Sequence, residues 1–185
     1  MTNKELWRIF NLQRVKNISA SSKATWSQAI NAKFIAWLNA HPNLKKIGIY
    51  VSLKSEVNTM SLIEYLLTNH YEVYLPVITN VFNNEMQFSK IINLDYAYCI
   101  IKGIKQPISH DWIKPIDLQV IIIPVTGFNL HKDRIGKGYG YYDKYLKKTT
   151  AIKIGFAFAI TKCFNFIADI NDVPLDLIMT ESEII

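Results

Sequence analysis

The chain has 185 residues, half of them hydrophobic and 19% charged, a balance that excludes a disordered polymer, and no apolar run approaches the roughly 20 residues needed to span a bilayer. At this length a single domain buries roughly 70% of the surface its unfolded form exposes, so neither disulfide nor structural metal is required to hold it. The 21 basic residues exceed the 15 acidic ones for a net charge of +6, which suits either a nucleic-acid partner or a smaller polyanion.

The N-terminus, MTNKELWRIF, is broken by Lys4, Glu5 and Arg8 and lacks the apolar stretch of a secretory signal, so the expected compartment is the cytoplasm. Two helices are predicted in residues 1–40. The first carries Leu6, Ile9, Phe10 and Gln13 at helical spacing, and the second carries Trp26, Ile30, Phe34, Trp37 and Leu38 as a clear apolar face that stops before Pro42. IGIYVS after Lys46 reads as a strand, followed by a helix over about Thr59 to Asn69 with Thr59 as its cap, and a second strand over Glu72 to Val77. That is a βαβ beginning. From Thr79 to Pro115 the pattern is harder to divide: MQFSKI and AYCII suit strands, and Gly103, Pro107 and Pro115 mark loops.

Val120 to Ile123 is a continuous apolar run of the kind buried on both faces of a parallel sheet. It opens into a basic loop with Gly136, Gly138 and Gly140, then a helix over about Tyr141 to Lys148, a strand in KIGFAFA, and a short last strand near Asp176 to Thr180. The elements predict an α/β fold: one three-layer domain spanning 1–185, with a mostly parallel sheet covered by helices on both faces and the N-terminal helical pair of residues 1–40 packed on it. Cys99 and Cys163 both sit among apolar neighbours and are expected to be buried thiols, and the four histidines show no zinc-ligand spacing.

The glycine loop is where chemistry is expected. A helix N-terminus offers unpaired N–H groups and partial positive charge, glycines let the main chain approach a ligand, and Arg134 and Lys137 add mobile cations, so the segment suits phosphate. It is not a P-loop, because Gly138 follows Lys137 and His131 stands where the first glycine belongs, nor a dinucleotide fingerprint, because its glycines alternate. Lys144, Lys147 and Lys148 extend the basic stretch and equally suit a solvated helix end. The alternative that charge offers, RNA binding, lacks any basic-aromatic sheet motif.

Gly127 to Asp143 reads GFNLHKDRIGKGYGYYD and resembles the pattern GFDxxGxRLGxGxGYYD of the 5-formyltetrahydrofolate cyclo-ligase family. KELWR at Lys4 to Arg8, SEVNT at Ser55 to Thr59 and the Asn171–Asp172 pair before PLD are similar to three further elements of that family, in the same order. The resemblance implies ATP-dependent closure of 5-formyltetrahydrofolate to 5,10-methenyltetrahydrofolate with Mg²⁺, by a protein expected to be a monomer without nucleic-acid or membrane partners. It implies catalytic roles for Arg134 and Tyr142 and ATP contacts from Lys4, Arg8, Arg134, Gly136, Lys137, Gly138, Gly140, Tyr141 and Tyr142. Folate contacts would come from Val51, Glu56, Tyr139, Gly140 and Tyr141, and metal-binding carboxylates from Asp143 and Asp172. Asn129, Lys132, Trp7 and Thr161 depart from the family pattern, and Lys102 stands where an aromatic residue often packs near folate. Because the phosphate-side residues match better than the folate-side ones, a catalytically silent relative that binds nucleotide or folate is the alternative reading.

Overall fold

The Val120–Ile123 run sits at the centre of a seven-stranded sheet, each of its four side chains fully buried. The structure is a computed structural model that describes residues 2–108 and 110–185. Its main sheet comprises β1 (Lys46–Gly48), β2 (Glu72–Asn80), β3 (Glu85–Ile91), β6 (Trp112–Ile113), β7 (Val120–Pro124), β10 (Ile152–Phe156) and β11 (Leu177–Met179). The spatial order is β11-β10-β7-β1-β2-β3-β6; the first five are mutually parallel, and β3 and β6 extend the β2 edge antiparallel. The remaining strands form two hairpins, β4 (Tyr98–Ile101) with β5 (Ile104–Pro107), and β8 (Gly127–Phe128) with β9 (Arg134–Ile135).

Strand alternation divides the central run between two cores. Val120 and Ile122 face one layer with Ile47, Val73, Ile154 and Phe156; Ile121 and Ile123 face the other with Tyr74, Phe88 and Ile178. Helices α2 (Ala20–Asn39) and α3 (Met60–Thr68) cover the first layer through Ile30, Phe34, Leu38, Leu62, Ile63 and Leu66. The short α4 (Tyr141–Leu146) covers the second through Tyr141, Tyr145 and Leu146. Each such side chain removed from water contributes roughly 1.5–3 kcal/mol. Among the described residues no helix is long and apolar enough to cross a membrane.

Helix α1 (Asn3–Lys16) begins at a capping box, Thr2 and Glu5 each accepting the other's backbone N–H. Its apolar positions do not form the core face that their spacing suggests: Leu6, Ile9 and Phe10 are 55%, 58% and 53% exposed. The inward face is Lys4, Arg8, Asn11 and Val15, at i, i+4, i+7 and i+11. The Asn11 amide donates to the Thr161 carbonyl at 2.9 Å and to Cys163 Sγ at 3.3 Å, tying the helix through polar contacts to the segment that follows β10. Cys163 is buried and Cys99 half-buried, and both are free; burial is the main cause that pushes the Cys163 thiol up.

Three local expectations change. Thr59 does not cap α3 with its side chain; its hydroxyl donates to the Tyr50 carbonyl at 2.6 Å, and the Met60 N–H is met by Asn58 Oδ1. Proline and glycine in the middle segment conceal a hairpin, β4–β5, whose tip Lys102–Gly103 takes positive φ at both residues, the combination a tight two-residue turn demands. The strand β7 does not run straight into the glycine loop and the helix expected over about Tyr141 to Lys148. The β8–β9 hairpin intervenes, and α4 has six residues, so the helix dipole expected to hold phosphate is weak.

Candidate active site

The parallel strands deliver their C-terminal ends to one side of the sheet, and there the loop after β1, the β8–β9 hairpin, the glycine segment and α1 enclose a cavity of about 830 Å³. Open α/β sheets bind ligands outside these strand ends. Lys4 and Arg8 reach it from α1, Val51 and Glu56 from the loop after β1, and Arg134, Gly136, Lys137, Gly138, Tyr139, Gly140, Tyr141, Tyr142 and Asp143 from the glycine segment. Asp172 arrives from the loop before β11, so the candidate residues read from sequence all line one cavity.

Arg134 is placed by β9 and is only 4% exposed, with Nη2 donating to Asp143 Oδ1 at 2.6 Å. Its Nε is buried and has no hydrogen-bond partner among the described residues. A buried guanidinium donor left unpaired costs about 1–3 kcal/mol, which an incoming acceptor would recover. The Tyr141 and Tyr142 hydroxyls are likewise buried and unpartnered. Burial raises the Tyr142 phenol well above its ordinary value; the Glu56 charge adds to this and Arg134 opposes it. Tyr142 is therefore a neutral hydrogen-bond donor at neutral pH, not a base.

Two of the glycines take left-handed backbone conformations that glycine adopts without strain: φ is +92° at Gly138 and +74° at Gly140. A Cβ at Gly138 would stand 3.3 Å from the Arg8 guanidinium carbon, whose Nε donates to the Gly136 carbonyl at 2.7 Å. Helix α1 is thereby pinned to the loop. Lys132, which replaces a glycine of the pattern, also adopts positive φ, and Asn129 brackets the same turn through two hydrogen bonds to Asp133.

Carboxylates and cations are paired across the cavity. Lys4 Nζ contacts Asp172 Oδ2 and, at 3.2 Å, Asp169 Oδ2. Lys137 Nζ meets Glu56 Oε1 at 2.9 Å while the Leu53 N–H donates to Glu56 Oε2 at 2.7 Å. The Val173 N–H reaches Asp143 Oδ1 at 3.4 Å, linking the Asp172 loop to the second acid. Asp143 Oδ2 and Asp172 Oδ1 make no hydrogen bond among the described residues, leaving each acid one oxygen for a hard cation. No group of three or more metal-binding side chains occurs among the described residues, so any ion held here would draw other ligands from phosphate oxygens and water.

A family model described as the 5-formyltetrahydrofolate cyclo-ligase family matches residues 1–181. The chain belongs to that family. It is 33% identical to the 5-formyltetrahydrofolate cyclo-ligase of Mycoplasma pneumoniae over 174 residues, covering 92% of this chain and 93% of that one. The structure of a 5,10-methenyltetrahydrofolate synthetase from Mycoplasma pneumoniae superposes with a TM-score of 0.81 at 30% identity, covering 97% of this chain and 99% of the other. That of Aquifex aeolicus gives 0.87 at 26% identity, covering 98% and 91%.

None of the residues that depart from the cyclo-ligase pattern, Trp7, Lys102, Asn129, Lys132 and Thr161, lines the cavity, and Asn129 and Thr161 are buried elsewhere. The Asp169 contact to Lys4 was missed from sequence, although its spacing of three from Asp172 is a usable signal. Met86, Pro76 and Ile78 also line the cavity; only the antiparallel β2–β3 pairing brings Met86 there, and no local motif announces it. Lys102, at the β4–β5 tip, lays its ammonium 4.4 Å from the Tyr139 ring centre and 5.5 Å from that of Tyr141.

Proposed function

We propose that this chain closes 5-formyltetrahydrofolate to 5,10-methenyltetrahydrofolate at the expense of ATP, releasing ADP and phosphate, and that it does so in the cavity bounded by Arg134, the glycine segment and Glu56. The observation that carries the residue assignment is the convergence of four sequence-distant segments on a cavity containing a buried, unpartnered Arg134 Nε.

The formyl group of the substrate is an amide, so its oxygen is the nucleophile available to the γ-phosphorus. Its attack expels ADP and leaves an imidate phosphate, whose carbon then accepts N10, and the phosphate departs with the former formyl oxygen. No covalent intermediate with the protein is needed, and the protein's contribution is position and charge. Arg134 would donate to the phosphoryl group from a water-poor wall, where fixed donors act most strongly, and Tyr142 would add a neutral donor beside it. Lys4, Arg8 and Lys137 supply further positive charge toward the triphosphate, and Gly136, Gly138, Gly140 and Tyr141 let the main chain come close. Glu56 offers an acceptor to the donor-rich pterin edge, with Val51, Tyr139, Gly140 and Tyr141 beside it.

Asp143 and Asp172 suit Mg²⁺ through their two unbonded carboxylate oxygens; the ion when bound neutralises charge on the phosphates. The Lys4 and Arg134 partners hold the two acids in place without it. We further propose that residues 1–185 act as one domain, with residues 1–40 packed on it, working as a cytoplasmic monomer on small molecules, without nucleic-acid partners.

The test is formation of the methenyl product, followed by its absorbance, from purified protein with Mg·ATP and 5-formyltetrahydrofolate. Product with stoichiometric ADP supports the reading; tight binding of both ligands with no product supports a silent relative instead.

A further inference from the structure

The cavity's positive charges are mostly spoken for. Lys4 faces Asp169 and Asp172, Lys137 faces Glu56, and Lys144 faces Glu85. Among the described residues Arg8 and Lys147 enter no ion pair but donate to the Gly136 carbonyl and to Asn171 Oδ1; Lys102, beside the cavity, has among them neither ion pair nor hydrogen bond from its ammonium, which rests on the faces of Tyr139 and Tyr141, both of which line the cavity. The placement is built into the backbone. Lys102 and Gly103 form the two-residue tip of the β4–β5 hairpin with φ of +51° and +76°, and the next residue, Ile104, lines the cavity. A lysine accepts positive φ less readily than glycine or asparagine, so this turn sequence sets a charge at a fixed point at a small conformational cost.

The neighbouring ring marks this edge as an opening to solvent: Tyr139 is 49% exposed, whereas Glu56, on the loop after β1, is nearly buried. A ligand whose polar heterocycle meets Glu56 and whose middle crosses the tyrosines would bring its far end to Lys102. On the cyclo-ligase reading, on which this inference rests, that far end is a glutamate bearing two carboxylates.

We propose that Lys102 is a specificity-determining residue, a hairpin-tip ammonium held on Tyr139 and Tyr141 that recognises the glutamate carboxylates of the folate substrate. It touches neither the formyl group nor the phosphates, so it acts on substrate capture and not on the chemical step. The contact is exposed to solvent and screened by salt, which limits it to a few-fold in affinity.

The experiment compares wild type, Lys102→Met and Lys102→Arg on two substrates, 5-formyltetrahydrofolate and 5-formyltetrahydropteroate, which lacks the glutamate. Methionine keeps the unbranched stem and the same backbone requirement while removing charge. Lys102→Met should raise KM for the folate about three- to five-fold with kcat unchanged, the equivalent of a surface ion pair. The effect should fade at high salt, Lys102→Arg should restore wild-type KM, and the pteroate should show no difference between variants. Equal effects on both substrates, or none on either, overturn the proposal. Direct titration of both ligands without ATP separates the two claims. If wild type binds the folate but does not turn it over, the proposed reaction fails, and the same binding comparison still decides Lys102. If wild type binds neither, both fail.

Discussion

Replacing Arg134 by alanine removes a group that is at once buried, ion-paired and in possession of a free donor. Its loss deletes one charge-assisted hydrogen bond to Asp143, of the class worth about 1.5–3 kcal/mol, and strips a carboxylate of its counter-charge. Breaking a fully buried pair costs about 3–5 kcal/mol, but the Asp143 side chain is 22% exposed, so water takes up part of the loss and about 2–3 kcal/mol of destabilisation is expected. In a protein of this size that lowers Tm by roughly 4–12 °C. The catalytic effect should be larger. Removing one preorganised donor to a developing anion typically slows turnover by about a hundred- to a thousand-fold, so kcat should fall by that much while KM for ATP moves little. Arg134→Lys should recover most of the stability, because a cation again faces Asp143, but only part of the rate, because the ammonium lacks the guanidinium fork. The assay is methenyl absorbance at saturating substrates, well below both melting midpoints, with circular dichroism melts alongside. A folded Arg134→Ala protein whose kcat stays within about two-fold of wild type would remove Arg134 from the chemistry.

Asp143→Asn and Asp172→Asn should each raise the Mg²⁺ concentration for half-maximal rate by roughly ten-fold, about 1.4 kcal/mol of ion binding, read from Mg²⁺ titrations at fixed ATP; unchanged titrations would dissociate the acids from the ion. Gly138→Ala forces φ of +92° on an alanine and sets its Cβ against Arg8; a loss of about 1–3 kcal/mol in chemical melts and a raised KM for ATP are expected, and an indifferent variant would contradict the close approach of α1 to the loop. Stability should fall as pH rises above 10. Tyr50, Tyr74, Tyr142 and Tyr145 have folded values raised by burial well above the ordinary 10.0, so the unfolded chain releases their protons first and is favoured, with a slope approaching about 5 kcal/mol per pH unit for the four. Urea melts across this range should show the decline, and Tyr142→Phe should remove about a quarter of its slope; a flat profile would mean the phenols titrate normally.

The parallel sheet was readable because burial on both faces leaves an unmistakable run at Val120 to Ile123, and the helices of its first layer because Ile30, Phe34 and Leu38 repeat at i, i+4 and i+8. Helix α1 shows why the same rule misleads at a site. Its polar stripe, Lys4, Arg8 and Asn11, turns inward to meet a cavity and the sheet end, and this leaves Leu6, Ile9 and Phe10 in solvent. A hydrophobic-periodicity argument assumes that the buried partner is apolar, and here it is charged. The glycine motif falls on the wall of the cavity, but the source of positive charge there is not the one its spacing suggested. With α4 only six residues long, the positive groups are chiefly the side chains of Arg134, Arg8 and Lys137. The pairings Lys4 with Asp172 and Lys137 with Glu56 join residues far apart in the chain and depend on strand order, which no local spacing encodes. The β4–β5 hairpin stayed hidden because its turn is Lys-Gly, where positive φ at the first position is uncommon.

The proposed reaction requires the cavity to bring the formyl oxygen of the folate against the γ-phosphate of ATP. Substrate carrying a heavy-oxygen label in its formyl group, converted in one turnover with Mg·ATP, tests this directly by mass spectrometry of the released phosphate. One labelled oxygen should appear in each phosphate, and Arg134→Ala should slow label transfer and product formation together. Methenyl product accompanied by unlabelled phosphate would contradict it.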